Sequence, residues 1–391
     1  MVKNNEVKIL VALAIILSLV GIYFIFDVAA ARNPFGEVAR QSISLVAGLA
    51  LMSAMVHVRP RALLAGKWPY VAYGCSLLLI VLCFIPINTP FFRSGESIFG
   101  AYRWFRLFGY SIQVAELVKL GMIIFFAYLF TRTTDWKIFL LYLSVPTLLM
   151  LVQKDLGSLL VVYASVFGLY ILAGAPLKNI AGLCAAGLVG VILMIVLAPY
   201  RMRRLTTFLH PEADLLGDGY QINQMLIAIG RGGAFGQGLG QSRQKFGKVP
   251  VVSSDSIFSI MAEEIGFVGV TIVLLLLALF VICVWHLVET ADVAADERLL
   301  GFGIYLSFLS QIFINIAAIS GTMPLTGITL PFISSGGSSL AVSLALVGLV
   351  VALAKDQPAK ERAAKSRLNT AKTTTGVAKR QIKIRSRWRW R

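Results

Sequence analysis

Charge is scarce in this chain. Only 14% of its 391 residues are Asp, Glu, Lys or Arg, while 58% are hydrophobic, a balance that excludes a water-soluble globular fold. Histidine is scarcer still: His57, His210 and His286 are dispersed, and no Ser-His-Asp set can be argued from them. The four cysteines, Cys75, Cys83, Cys184 and Cys283, lie inside apolar runs without metal-ligand spacing and read as small packing residues. No Lys-Ser or Lys-Thr closes a phosphate-binding Walker loop. No repeat of 20 to 50 residues and no inverted pair of halves is visible.

What the chain does have is long apolar runs, about ten of spanning length. They centre near 9 to 26, 41 to 58, 69 to 87, 114 to 130, 138 to 152, 156 to 174, 180 to 198, 257 to 285, 299 to 319 and 337 to 354. Lipid offers no partner for an unpaired backbone amide, so each should be a helix. The expectation is an all-α integral membrane protein. Lys3 and Lys8 precede the first run and Ala29, Ala30 and Ala31 follow it, which raises a cleaved leader; nine further spans make a retained helix the simpler reading.

The net charge is +17, and the segment from Lys355 to Arg391 carries about +11 of it. That basic tail ends in RSRWRWR, cannot bury a core and is expected to be disordered. It reads either as a solvated tail or as an anchor for anionic lipids, the second favoured by Trp388 and Trp390 among the cations. Arg59, Arg61, Lys67, Arg132, Lys137 and Lys178 fall in short loops on one side with the tail, which places both termini in the cytoplasm. The long segment 201–256 then faces outward, and a polar loop of that length is more often functional than connective. The organisation expected is one membrane domain, 1–354, followed by the tail.

Charges inside spans are costly at about 2.5 to 3.5 kcal/mol each, so Glu116 and Lys119 stand out. At i, i+3 they share a helix face, either as a structural ion pair or as the lining of a polar cavity. Arg103 precedes them beside Trp104 and Arg106, and its guanidinium suits phosphate oxygens. Lys154 and Asp155 sit at the mouth of a later helix, where Asp155 has the position of a helix N-terminal acid. In the long segment, Gly232, Gly233, Gly236, Gly238 and Gly240 precede Arg243, Lys245 and Lys248, a composition that suits phosphate binding. Asp255 closes this stretch, readable as a helix cap or as a reacting carboxylate. Glu263 and Glu264 follow two turns deeper and read as structural.

Taken in order, these segments resemble the SEDS family of cell-wall glycan polymerases, which includes the FtsW, RodA and SpoVE proteins. The family's GARRW segment matches Gly100, Ala101, Arg103 and Trp104; QPSELAK appears as QVAELVK with Gln113, Glu116 and Lys119 kept; QPDLGT appears as QKDLGS with Gln153, Asp155 and Gly157 kept. Tyr220, Gln221 and Gln224 match the loop motif, although Arg231 stands where a serine is usual. LPExxTDFIF corresponds to Pro250, Asp255, Ile257 and Phe258, with Val251 in place of the glutamate and Ser256 in place of the first phenylalanine. GTMPLTGITLPFISSGGSS, ahead of the last helix, matches almost throughout. The GLGQSRQK stretch is more similar to FtsW than to RodA members.

The resemblance implies a peptidoglycan glycosyltransferase of the bacterial cytoplasmic membrane that polymerises lipid II at the outer face, partnered by a class B penicillin-binding transpeptidase of the division or elongation machinery. Asp255 aligns with the family's essential aspartate and is the expected base. Arg103, Trp104, Glu116, Lys119, Asp155, Arg243 and Lys245 are expected to hold substrate, the cations Arg103, Lys119, Arg243 and Lys245 stabilising the undecaprenyl pyrophosphate that leaves. A divalent metal, Mg or Mn, would find oxygen ligands in Asp155 or Glu116. Two other readings stay open: a lipid II flippase, and a non-catalytic scaffold.

Overall fold

The computed structural model describes residues 2–30, 34–95, 102–196, 199–210, 218–246 and 254–355. The basic tail beyond Lys355, with Gly100, Ala101, Lys248, Pro250, Val251 and Ser253, lies outside the described residues. The helices are α1 (Val2–Ala30), α2 (Pro34–Val56), the single turn α3 (Pro60–Leu63), α4 (Trp68–Leu82), α5 (Val114–Phe130), α6 (Trp136–Val152), α7 (Leu156–Leu172), α8 (Leu177–Val196), α9 (Pro199–Leu209), α10 (Asp218–Gly232), α11 (Ile257–Glu289), α12 (Ala295–Ile319) and α13 (Gly337–Lys355). Each apolar run read from the sequence falls on one of them. By length and composition, α1, α2, α8, α11, α12 and α13 can cross a membrane, and α4, α6 and α7 are shorter apolar helices.

The chain is mostly helical, but not wholly. Between α4 and α5 it forms a small antiparallel sheet in the order β1 (Ile87–Asn88), β2 (Phe92–Ser94), β3 (Trp104–Leu107), β4 (Tyr110–Gln113). The strands are of two to four residues, too short for alternation to stand out against apolar neighbours. β4 runs straight into α5, and its last residue donates its N–H to Ser338 Oγ at 3.1 Å, which ties the sheet to the start of α13.

Helix packing follows small residues. A Cβ on Gly337 would lie 2.4 Å from Ser44 Oγ, and one on Gly348 would lie 2.4 Å from Met52 O, so α2 and α13 meet nearly backbone to backbone. Larger rings fill the contact between α6 and α7, where Phe139 stacks on Tyr170 at 4.8 Å. α5 lies in the middle, packed against α4, α7 and α12, and nearly all its residues are buried. α8 fully buries none of its side chains.

The segment 201–256, read from sequence as a loop, holds most of α9, all of α10 and the glycine-rich stretch. α11 explains why that stretch is so rich in glycine. Its helix breaks at Gly266, where φ is 66° and ψ is −171°. A broken turn frees backbone groups that lipid cannot satisfy. Here Gln237 and Gly238 donate to the carbonyls of Glu263 and Glu264 at 2.9 and 3.1 Å, while Phe267 and Val268 donate to Gly233 O and Ala234 O at 2.8 and 3.0 Å.

Candidate active site

One irregular segment, Leu325 to Thr329, with Gly327 at a φ of +70°, organises the polar interior. Asp255 stands on one side of it, just before the first turn of α11, and lines a small cavity of about 10 Å³ with Asn315, Thr326 and Gly327. A Cβ on Gly327 would lie 3.8 Å from Asp255 Oδ2, so the carboxylate rests against this backbone. Its other oxygen, Oδ1, accepts from Ser254 Oγ at 3.0 Å. The Asp255 side chain does not cap α11, whose N-cap is Ser256. Burial raises the Asp255 carboxyl above its ordinary range, opposed by the Ser254 hydrogen bond and the positive charge of Arg204.

Glu116 and Lys119 lie across the same segment, lining a second small cavity of about 20 Å³ that shares Ile328 with the first. Lys119 Nζ donates to Glu116 Oε2 at 2.7 Å and to Gln311 Oε1 at 2.8 Å. Glu116 Oε1 accepts from Ser339 Oγ at 3.1 Å, and Ser339 Oγ meets Thr329 Oγ1 at 3.0 Å. The pair is therefore both an ion pair and a cavity lining.

Arg103 and Asp155 reach the segment through α7. Arg103 Nη1 lies 3.9 Å from Asp155 Oδ1, and its Nη2 donates to Lys154 O. Asp155 Oδ1 caps α7 by accepting from Ser158 N at 3.3 Å; its Oδ2 and Arg103 Nε are buried with no hydrogen-bond partner among the described residues. Two residues on, a Cβ on Gly157 would lie only 2.5 Å from Thr326 O, which presses the start of α7 onto the central segment. Trp104, half-buried in β3, pairs with Gln113 next to α5.

The glycine-rich stretch is differently employed. Its amides are not free for phosphate: Gly240 N and Ser242 N donate to Glu264 at 3.0 and 3.1 Å, and Arg243 N and Gln244 N to Glu263 at 3.3 Å each. Lys245 is buried and bound to Asp27 at 2.7 and 2.8 Å, to Glu264 at 3.1 Å and to Gly240 O at 2.8 Å. Arg243 is exposed. Glu263 and Glu264 thus hold the loop, as their structural reading anticipated, and the glycines serve the break in α11.

Three polar residues were not singled out from the sequence. Gln311 and Asn315 are one turn apart on α12 and grip consecutive carbonyls of the central segment: Gln311 Nε2 donates to Thr329 O at 3.1 Å and Asn315 Nδ2 to Ile328 O at 2.6 Å. Asn315 Nδ2 also lies 3.3 Å from Asp255 O. Two carboxamides at i, i+4 in an apolar span were a legible signal. The third is Arg204 of α9, which donates to Leu325 O at 3.3 Å and so stands near the Asp255 cavity.

For a metal the fit is slender. Among the described residues no three of His, Cys, Asp and Glu gather around a common point. Glu116 is committed to Lys119 and Ser339, which leaves Asp155 Oδ2 as an unpartnered carboxylate oxygen.

Comparison with known proteins agrees with this architecture. The sequence profile of the cell cycle protein family FtsW/RodA/SpoVE matches residues 5–358. The chain is 36% identical over 362 residues to a probable peptidoglycan glycosyltransferase FtsW of Aeromonas salmonicida, covering 88% of each chain. It is 33% identical over 366 residues to the stage V sporulation protein E of Bacillus subtilis, covering 89% of this chain and 97% of that one. A chain from the solved structure of a peptidoglycan synthase complex superposes with a TM-score of 0.73 at 31% identity, covering 89% of this chain and 97% of that one. The polar interior gathered on Leu325 to Thr329 is thus carried by a multi-pass membrane protein that belongs to the FtsW/RodA/SpoVE family.

Proposed function

We propose that the chain is a peptidoglycan glycosyltransferase that polymerises lipid II, with Asp255 as general base. The observation that carries this is a single half-buried carboxylate beside a cavity, with cationic groups arranged along the same short backbone segment. The 4-hydroxyl of one disaccharide attacks the anomeric carbon of another. A C–O bond forms there as the bond from that carbon to phosphate breaks, the electron pair leaves with undecaprenyl pyrophosphate, and the hydroxyl proton passes to Asp255. General base catalysis of this kind is worth about 10² to 10⁴ in rate.

Stabilising the leaving group is the larger contribution in a preorganised site. Arg103 and Lys119 suit it by position. Arg204 is added to them, and Arg243 is exposed enough to meet a phosphate arriving from solvent. Lys245 acts at one remove, holding the loop. A divalent ion, if bound, would supply charge neutralisation to the phosphates, and Asp155 is the residue that would hold it.

The site is assigned to the outer face, with ten crossings and both termini in the cytoplasm. Its partner is read as a class B penicillin-binding transpeptidase, in keeping with the solved complex that the chain resembles. The deciding experiment uses purified protein and lipid II: Asp255→Asn should assemble, bind lipid II and make no glycan. Normal polymer from that variant would remove Asp255 as the base, and lipid II movement across liposomes without chain growth would replace polymerisation by transport.

A further inference from the structure

Helix α6 ends in a conformation that glycine takes elsewhere in this chain. Gln153 closes the helix and Lys154 follows at a φ of +60°, with Lys154 N donating to Leu151 O and Asp155 N to Met150 O, each at 3.1 Å. Helix α7 closes with the same pair of hydrogen bonds, Gly174 N to Ile171 O at 3.0 Å and Ala175 N to Tyr170 O at 3.4 Å, and there the left-handed residue is Gly174. α12 repeats the turn with Gly321, whose φ is +69°. A left-handed residue with a Cβ is strained, and glycine is the usual occupant of this place after a helix. The turn explains the backbone of Lys154 but not its side chain.

The surroundings of Lys154 give that side chain a use. It is exposed, while the next residue, Asp155, is buried. Arg103 Nη2 donates to the Lys154 carbonyl, and Arg103 Nη1 lies 3.9 Å from Asp155 Oδ1. Two cationic residues therefore flank one buried carboxylate, which leaves positive charge in excess. The same Asp155 oxygen accepts from Ser158 N, and Ser158 lines the Lys119 cavity. The excess charge thus stands one turn of α7 from that cavity, at the helix end assigned to the outer face. Backbone strain held at a residue that extends a cationic site points to a function for its side chain.

We propose that Lys154 contacts the pyrophosphate of the lipid-linked donor, as a second cation beside Arg103. This rests on the polymerase reading. A diphosphate offers two charged groups, one for the guanidinium and one for the ammonium, and an ammonium on a flexible stem can follow a phosphate as it departs. Phosphates of membrane lipids share this chemistry, and vesicle composition separates the two sources.

The test is Lys154→Gly in the full-length protein, reconstituted with lipid II in phosphatidylcholine vesicles, beside Lys154→Asn and Lys154→Arg. Glycine relieves the left-handed residue, so the thermal midpoint should hold or rise. A residue that only ends α6 predicts that glycan synthesis holds as well. The phosphate contact predicts instead that kcat/KM falls about tenfold in Lys154→Gly and Lys154→Asn, that inhibition by undecaprenyl pyrophosphate weakens by a similar factor, and that Lys154→Arg keeps most of both. Wild-type kcat/KM in Lys154→Gly would overturn the contact. So would a loss confined to vesicles containing phosphatidylglycerol, which would give Lys154 to the membrane lipid. Native protein that makes no glycan would overturn the polymerase reading and the contact with it. If Lys154→Gly does not assemble, Lys154→Asn, which also tolerates left-handed backbone, makes the same comparison.

Discussion

The Lys245 ammonium lies 2.7 Å from Asp27 Oδ1, although 218 residues separate the two in sequence. With Glu264 Oε1 at 3.1 Å, this ammonium ties α1, the glycine-rich stretch and the broken part of α11 into one knot. Burial alone would lower the lysine pKa, but the hydrogen bonds and charges of Asp27 and Glu264 outweigh it and raise the pKa. That contribution is complete below the ordinary lysine pKa and is lost only as pH rises through the higher folded value. Lys245→Met should leave two carboxylates buried without a cation, at about 3 to 5 kcal/mol of stability. Unfolding in detergent would measure it; an unchanged midpoint would make the knot dispensable.

Arg204 should shift the pH at which Asp255 works, beside the larger effects of burial and the Ser254 hydrogen bond. Its charge lowers the carboxyl pKa against the rise caused by burial. In Arg204→Gln that help is gone, the Asp255 pKa rises further, and the acidic limb of the pH profile for glycan synthesis moves to higher pH. A loss of rate equal at all pH values would confine Arg204 to the leaving group.

Asp255→Asn should be more stable than the native chain at neutral pH. A carboxyl whose folded pKa is raised favours the protein while protonated, and that benefit is lost as pH rises through the folded value. The amide does not titrate, so the variant's midpoint should stay flat where the native one declines. Parallel declines would mean that another group carries the pH dependence.

Much of this was legible in the chain because lipid makes apolar runs and intramembrane charge informative. Glu116 and Lys119 were found by their cost, Asp255 and Asp155 by their place before spans. The glycine-rich stretch misled, since glycine demanded by a close backbone approach and glycine demanded by a phosphate look alike in sequence. Lys245 misled for a related reason: its partner Asp27 is remote in the chain, and nothing local marks the pairing. The short sheet was hidden because strands of a few residues carry too little alternation to read.

Gly236 tests that account of the loop. Its φ is +82°, and an added Cβ would lie 2.0 Å from Glu264 O and 2.8 Å from Gly266 N. Gly236→Ala therefore strains the backbone and pushes the loop off the break in α11. It should lower thermal stability in the absence of any substrate. A variant as stable as the native chain but defective in lipid II binding would return the glycines to phosphate recognition.

The Glu116–Lys119 pair offers the sharpest separation of packing from chemistry. Both residues are buried, Lys119 bound to Glu116 and Gln311, and Glu116 bound to Ser339. Glu116→Gln or Lys119→Met alone strands a buried charge and should cost several kcal/mol, within about 3 to 5. The double variant strands none, so it should recover most of that stability, with a coupling of about 0.5 to 3 kcal/mol between the two sites. Activity should behave otherwise. If Lys119 stabilises the departing pyrophosphate, the double variant stays as slow as Lys119→Met despite its restored stability. Recovery of glycan synthesis in step with stability would make the pair a packing element alone, and would leave Arg103 and Arg204 as the cations for the leaving group.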